Sequence, residues 1–347
     1  MSVTENDIGI QAVDGLFKAL MIDEEWSVRE PRGFTWWSYR LAQHVEASEP
    51  IWDRGCEISR VRIWTEVANA VDPRRDPATW MAMTNGQQTL SALVWDPAER
   101  TVAEHCSAVV HEDNVGWMGT LLATAAVMQN TGAHSRSRAV AEVLGGQPWV
   151  SNHPVSGERP EPDNLLDLPK EVLAPAGRGR SQFAGALTEG LEAFLSQFEL
   201  LGFSDEDGFT CEVPFTGVTP VAMLAALGSP EAKEPPQTCL VRIFPDAEHP
   251  QLGHGAQVIM FPPLVFEKDQ VPVVANHLNL VEATMNTPTD LLGAWSPNPS
   301  NPRGDTIAFN AFLPSALAQP GLLENQILFQ AGRSRFFGAA GAEYLRT

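Results

Sequence analysis

The sequence predicts an α+β protein of two domains, each an antiparallel sheet with helices packed on one face. Three observations lead there. A chain of 347 residues is long for a single core, since domains centre on roughly 100–150 residues. Both halves mix apolar residues at helical spacing with alternating runs of strand length. Between them, from about Gly145 to Ser181, Pro and Gly recur too often for a long regular element. Composition changes across that stretch: nine of the ten tryptophans lie at or before Trp149, whereas fourteen of the sixteen phenylalanines lie beyond Ser181. The division is therefore a Trp-rich domain over 1–146, a connector over 147–181 in which Leu165 to Leu173 can dock, and a second domain over 182–347.

In the first half Ile10, Val13, Phe17 and Leu20 mark an amphipathic helix. Strands are expected over Phe34 to Gln43 and Glu57 to Asn69, then a hairpin of Trp80 to Trp95 with Thr101 to Val110 across the turn Asp96 to Arg100. Asn114 opens a helix to Gln129, and a second runs from Arg136 to the Gly145-Gly146 stop. In the second half Leu187, Leu191, Phe194, Leu195, Phe198 and Leu201 share a helical stripe that Gly202 ends. Strands follow at Gly208 to Phe215 and, after a Pro/Ala-rich insertion, at Thr238 to Phe244 and Ala256 to Phe261. Val271, Val274, Leu278, Val281 and Met285 line a helix with Pro272 in its first turn. Ser296 to Asp305 is a loop, Thr306 to Leu313 a strand, and Leu322 to Ala339 the last helix. Val61-Arg62-Ile63 recurs as Val241-Arg242-Ile243, and Cys106 to Val110 feeds a helix as Ala256 to Met260 does, which leaves a duplication open.

The residues around Leu191-Glu192-Ala193-Phe194-Leu195, the strand Cys239 to Ile243 and the passage from Val258-Ile259-Met260 to Val271 give the second half a familiar layout. It resembles the type III secretion chaperone-like fold, and more particularly the YbjN-like group of bacterial proteins, with the first half as a diverged copy. The resemblance implies helices on one face of an antiparallel sheet. It also implies a binding module, often dimeric, for extended or partly folded protein segments, without catalysis. A tandem chain would let its halves pack as two subunits do elsewhere.

Acid outnumbers base, 43 to 23, for a net charge of −20. Such a chain is repelled by a phosphate backbone or an anionic membrane surface, so neither nucleic acid nor membrane is expected as partner. The N-terminus has no basic and apolar signal pattern, and no apolar run reaches the roughly 18 residues of a membrane span. The four scattered cysteines, Cys56, Cys106, Cys211 and Cys239, suit a reduced cytoplasm, where they act as small hydrophobes.

No nucleotide-binding, hydrolase-elbow, zinc or calcium motif is present. His249 and His254, beside Asp246 and Glu248, read as a polar loop between strands rather than as metal ligands, and no cofactor is called for. Alternation puts His105 and Cys106 on opposite faces of a strand, which argues against a nucleophile with its base. Trp36, Trp37 and Trp52 form either a partner-binding platform or part of the core; adjacent Trp36 and Trp37 would face opposite ways. Arg333, Arg335 and Phe336 are either a docking surface or the solvated side of an amphipathic helix. The expected function is a non-catalytic protein-binding module, chaperone-like or adaptor, that binds another protein or itself. The alternative is an enzyme or small-ligand binder with a pocket between the halves, where His249 or His254 would meet carboxylates.

Overall fold

The computed structural model describes residues 7–53, 55–215, 237–301 and 303–344. The first half consists of α1 (Ile8–Ala19), β1 (Ser27–Glu30), β2 (Gly33–Trp37), β3 (Ala42–Ala47), β4 (Ile51–Asp53), β5 (Cys56–Asn69), α2 (Pro77–Asn85), β6 (Ala92–Asp96), β7 (Thr101–His111) and α3 (Val115–Leu144). A short β8 (Gln147–Pro148) opens the connector, which then makes helical turns over 164–176. The second half has α4 (Ala186–Gln197), β9 (Gly202–Ser204), β10 (Phe209–Pro214), β11 (Thr238–His249), β12 (Gly253–Phe261), α5 (Val271–Thr284), β13 (Ala294–Pro297), β14 (Ile307–Pro314) and α6 (Leu322–Tyr344). The fold is α+β, with two antiparallel sheets.

The two sheets have one plan. Their strand orders are β1-β2-β3-β5-β7-β6 and β9-β10-β11-β12-β14-β13, with β4 and β8 pairing beside the first. Leaving those two aside, each half runs helix, four strands, helix, two strands, helix. This corrects the expected order in the second half, where β9 and β13 escaped notice because each is only three or four residues long. It also reassigns the sequence echoes. Val61-Arg62-Ile63 lies on β5, a fourth strand, whereas Val241-Arg242-Ile243 lies on β11, a third.

Local chemistry explains the other departures. The expected strand from Trp80 is instead helix α2, because Pro77 opens it and the Asp76 carboxylate caps it by accepting from the Thr79 amide. The expected strand Phe34 to Gln43 is β2 and β3 with a bend between them. The two expected helices after Asn114 are one helix of 30 residues. Gly132 does not break it: a Cβ there would lie 2.7 Å from a Glu104 oxygen, so packing selects this glycine. Gly145, at φ +65°, ends the helix as expected. The Pro/Ala-rich insertion over 216–236, the residues before 7 and the Leu187 side chain lie outside the described residues.

One apolar core runs through both halves, joining Val61, Cys106 and Leu122 to Val241, Val258 and Phe309. Helices α2 and α5 pack against each other. Two backbone bonds cross reciprocally: Ser107 N donates to Leu291 O (3.1 Å) and Phe312 N donates to Thr89 O (3.2 Å). From α5, Asn276 takes the Trp95 N–H and donates to the Trp95 carbonyl, each at 3.0 Å, on edge strand β6. Among the described residues no helix is long and apolar enough to cross a membrane.

Candidate functional site

The shared plan lets each residue of one half be matched to its counterpart. On α2, Asn85 bonds both the N–H and the C=O of Leu93, each at 2.8 Å. On α5, Asn279 does the same to Trp295, at 2.8 and 2.9 Å. Leu93 faces Glu104 across β6 and β7, and Trp295 faces Phe309 across β13 and β14. Glu104 therefore corresponds to Phe309, and one helical turn on from the asparagines Gln88 corresponds to Glu282. The last helices carry the same tripeptide, Arg136-Ser137-Arg138 and Arg333-Ser334-Arg335. Arg136 reaches Glu104 and Gln88, as Arg333 reaches Glu282 and lies over the Phe309 ring.

In the second half this corner is closed. The Arg333 and Glu282 side chains are both fully buried, with Nε and Nη2 of the arginine on the two carboxylate oxygens at 3.0 Å. The guanidinium carbon sits 3.5 Å from the Phe309 ring centre, and Arg333 also donates to the Asp290 carbonyl. Residues 283–290, the last two of α5 and the loop that follows, fill the remaining space with buried Thr287, Thr289 and Asp290. Arg60 enters from β5 and donates to the carbonyls of Thr287, Thr289 and Glu282. Burial pulls the Arg60 guanidinium down to about 10, with Asp290 and Glu282 opposing the shift. Burial also pushes the Asp290 carboxyl up to about 6, while its bond from the Val109 amide and the two arginines pull it back.

The first half leaves the same corner open. Only two residues separate Gln88 from Ser91, against ten between Glu282 and Gly293, so the filling loop is missing. By strand register the place of Arg60 is taken by Gly255. Nothing larger fits there, since a Cβ would lie 2.3 Å from Leu313 O. A pocket of about 600 Å³ results. Its walls are the turn after α2 (Gln87 to Thr89), Glu104, α3 around Arg136, the connector around Asp167 and Lys170, and the β11–β12 turn at His249 to Leu252. The Arg136 side chain is 27% exposed and Glu104 only 1%. Ser91 and Arg136 each donate to one Glu104 oxygen at 2.7 Å, and burial pushes this carboxyl above the usual range against their pull.

The residues singled out in the sequence do not converge here, with one exception. His249 lines the pocket, its Nε2 on Gln87 O, its Nδ1 accepting from the Gln251 amide, and its ring against Phe312. Burial holds its imidazole below the ordinary value. His254 is not among the lining residues and bonds Asp246 at 2.8 Å. Trp36 and Trp37 are both buried, because the Trp37 side packs against the connector and donates to Ser151. Trp52, on β4, is 76% exposed. Arg333 is neither solvated nor a docking group but the centre of the closed corner; Arg335 is exposed and Phe336 half-buried against Phe337. Cys106 is buried, and burial pushes its thiol far up. Sequence reasoning missed Glu104 with Arg136 as a pair and Gln88 altogether. The repeated Arg-Ser-Arg was the signal that would have found them.

Compared with protein-family models, with curated proteins and with solved structures, the chain matches none.

Proposed function

We propose that this chain is a non-catalytic protein-binding module, of chaperone-like or adaptor type, whose site is the pocket between the halves. The observation that carries this reading is the fate of the matching corner. There the chain's own residues 283–290, the end of α5 and the loop after it, lie in the space, and arginines hold the backbone carbonyls of Thr287, Thr289 and Asp290. The open corner keeps Arg136 and lacks the segment, so a segment from another chain is the fitting occupant. The engagement of both Glu104 oxygens and both His249 nitrogens within the fold further favours binding over proton transfer. Four free cysteines agree with work in a reducing compartment such as the cytoplasm.

The test is titration with an acetylated, amidated peptide copying residues 283–290, Ala-Thr-Met-Asn-Thr-Pro-Thr-Asp. Binding with a Kd at or below about 1 mM should move the amide signals of Gln88, Thr89 and Arg136. Ser135→Trp, which fills the pocket from α3, should abolish it. No binding, or binding that the variant leaves intact, defeats the proposal. A pocket of about 600 Å³ is also the size that holds a small molecule. A metabolite that displaces the peptide would identify that occupant instead.

A further inference from the structure

We infer that the group this pocket recognises is a carboxylate, supplied by an acidic side chain or by the end of a chain. The inference rests on the segment-binding reading above and adds to it the chemistry of the segment.

The closed corner provides the first observation. Its filling loop brings a carboxylate with it: Asp290 is buried, accepts the Val109 amide at 2.6 Å and lies in the field of Arg60 and Arg333. The occupant of that corner is thus not backbone alone.

The second observation is the exchange of Glu282 for Gln88. In the closed corner Glu282 accepts from Arg333 on both oxygens. In the open one Gln88 has only its Oε1 to offer Arg136, at 2.8 Å. That bond fixes the amide orientation, so Nε2 is the donor. Gln88 is 5% exposed, and its Nε2 is buried with no acceptor among the described residues. The exchange removes one negative charge from the wall and adds an NH2 group that no acceptor among the described residues satisfies. A buried donor of this kind is costly unless something accepts from it.

Arg136 stands beside it with donors to spare. A guanidinium carries five N–H groups; one goes to Glu104 and one to Gln88. From the connector wall, the exposed ammonium of Lys170 holds no ion pair or hydrogen bond among the described residues. Two carboxylates oppose these groups. Glu104 has both oxygens engaged by Ser91 and Arg136, and Asp167 lies one turn from Lys170 on the same wall. What remains unmatched among the described residues is a set of N–H donors from Gln88 and Arg136, with Lys170 lining the same pocket. A carboxylate can accept from several at once, with charge-assisted bonds roughly twice as strong as neutral ones.

Three acetylated forms of the 283–290 peptide separate the possibilities: amidated with Asp at its last position, amidated with Asn there, and the Asn form with a free C-terminal carboxylate. Calorimetry on the full chain should give at least about tenfold tighter binding for the Asp form, the free-acid form or both, over the uncharged peptide. The preferred form says whether side chain or chain end is read. Lys170→Gln, an exposed change that leaves the fold intact, and Gln88→Met should each shrink that preference severalfold. If charged and uncharged peptides bind equally, the carboxylate inference falls while segment binding stands. If no form binds, the segment reading fails and this inference with it.

Discussion

Arg333 and Arg136 occupy corresponding places in two halves built on one plan, yet one is sealed and the other faces a pocket. Around Arg333 the chain supplies Glu282, the Phe309 ring, Arg60 and an eight-residue filling, residues 283–290. Around Arg136 each of these is changed: Gln88 for Glu282, Glu104 for Phe309, Gly255 for Arg60, and a two-residue turn in place of the loop. The difference shows how one architecture yields both a packed joint and a cavity by altering a turn length and three side chains. A symmetric pair of identical subunits would have two corners alike. Joining the two halves in one chain lets one corner hold them together while the other stays available.

The largest expected effect breaks or upholds the contrast directly. Arg333→Met should cost about 3–5 kcal/mol, because it strands the buried Glu282 carboxylate. Arg136→Met should cost less, about 1–3 kcal/mol, since Glu104 keeps Ser91 and opens onto the pocket. Urea unfolding of both variants measures this, and equal costs would refute the distinction between sealed and open corners.

A second pair sharpens the residue matching. Asn85→Ala and Asn279→Ala each free one N–H and one C=O of an edge strand. Each should lose about 1–3 kcal/mol, and the two losses should agree closely. A large difference in unfolding free energy would mean that the asparagines do not play the same part.

The last effect is a pH dependence at one residue of the closed corner, Asp290. Asp290 in the fold titrates near 6, above the ordinary 3.8. The native state therefore holds this proton more tightly than the unfolded chain does. Its contribution is present in full below about pH 4 and is lost as pH rises through about 6, an effect on the order of 1–3 kcal/mol. Asp290→Asn keeps an oxygen for the Val109 amide and removes the titration. Subtracting the variant's stability from the wild type's between pH 4 and 8 should leave a falling curve; a flat difference contradicts the assignment.

Much of the fold was legible because hydrophobic spacing is local. The stripe Val271, Val274, Leu278 and Val281 gave α5, and Gly145 gave the end of α3. What misled was also local. Strand-like residues around Trp80 outweighed the cap at Asp76 and Pro77, and α3 was divided between Gln129 and Arg136, where the reason for Gly132 lies on β7, at Glu104. Val-Arg-Ile echoed on strands that do not correspond, whereas Arg-Ser-Arg echoed on helices that do. The pocket itself was not legible beyond the general expectation of a space between halves. It exists because a loop is short, and only the longer loop in the other half reveals what is missing.

Arg60 also sets an order of events at the ribosome. Its carbonyl partners are encoded 222 to 229 residues downstream. At about 5–20 residues per second they emerge roughly 10–45 s after Arg60 itself. Through that interval β5 exists without the groups that later surround its guanidinium, which must stay hydrated. The first half can form its sheet early, but it can finish closing only when α5 and the loop beyond it have been made.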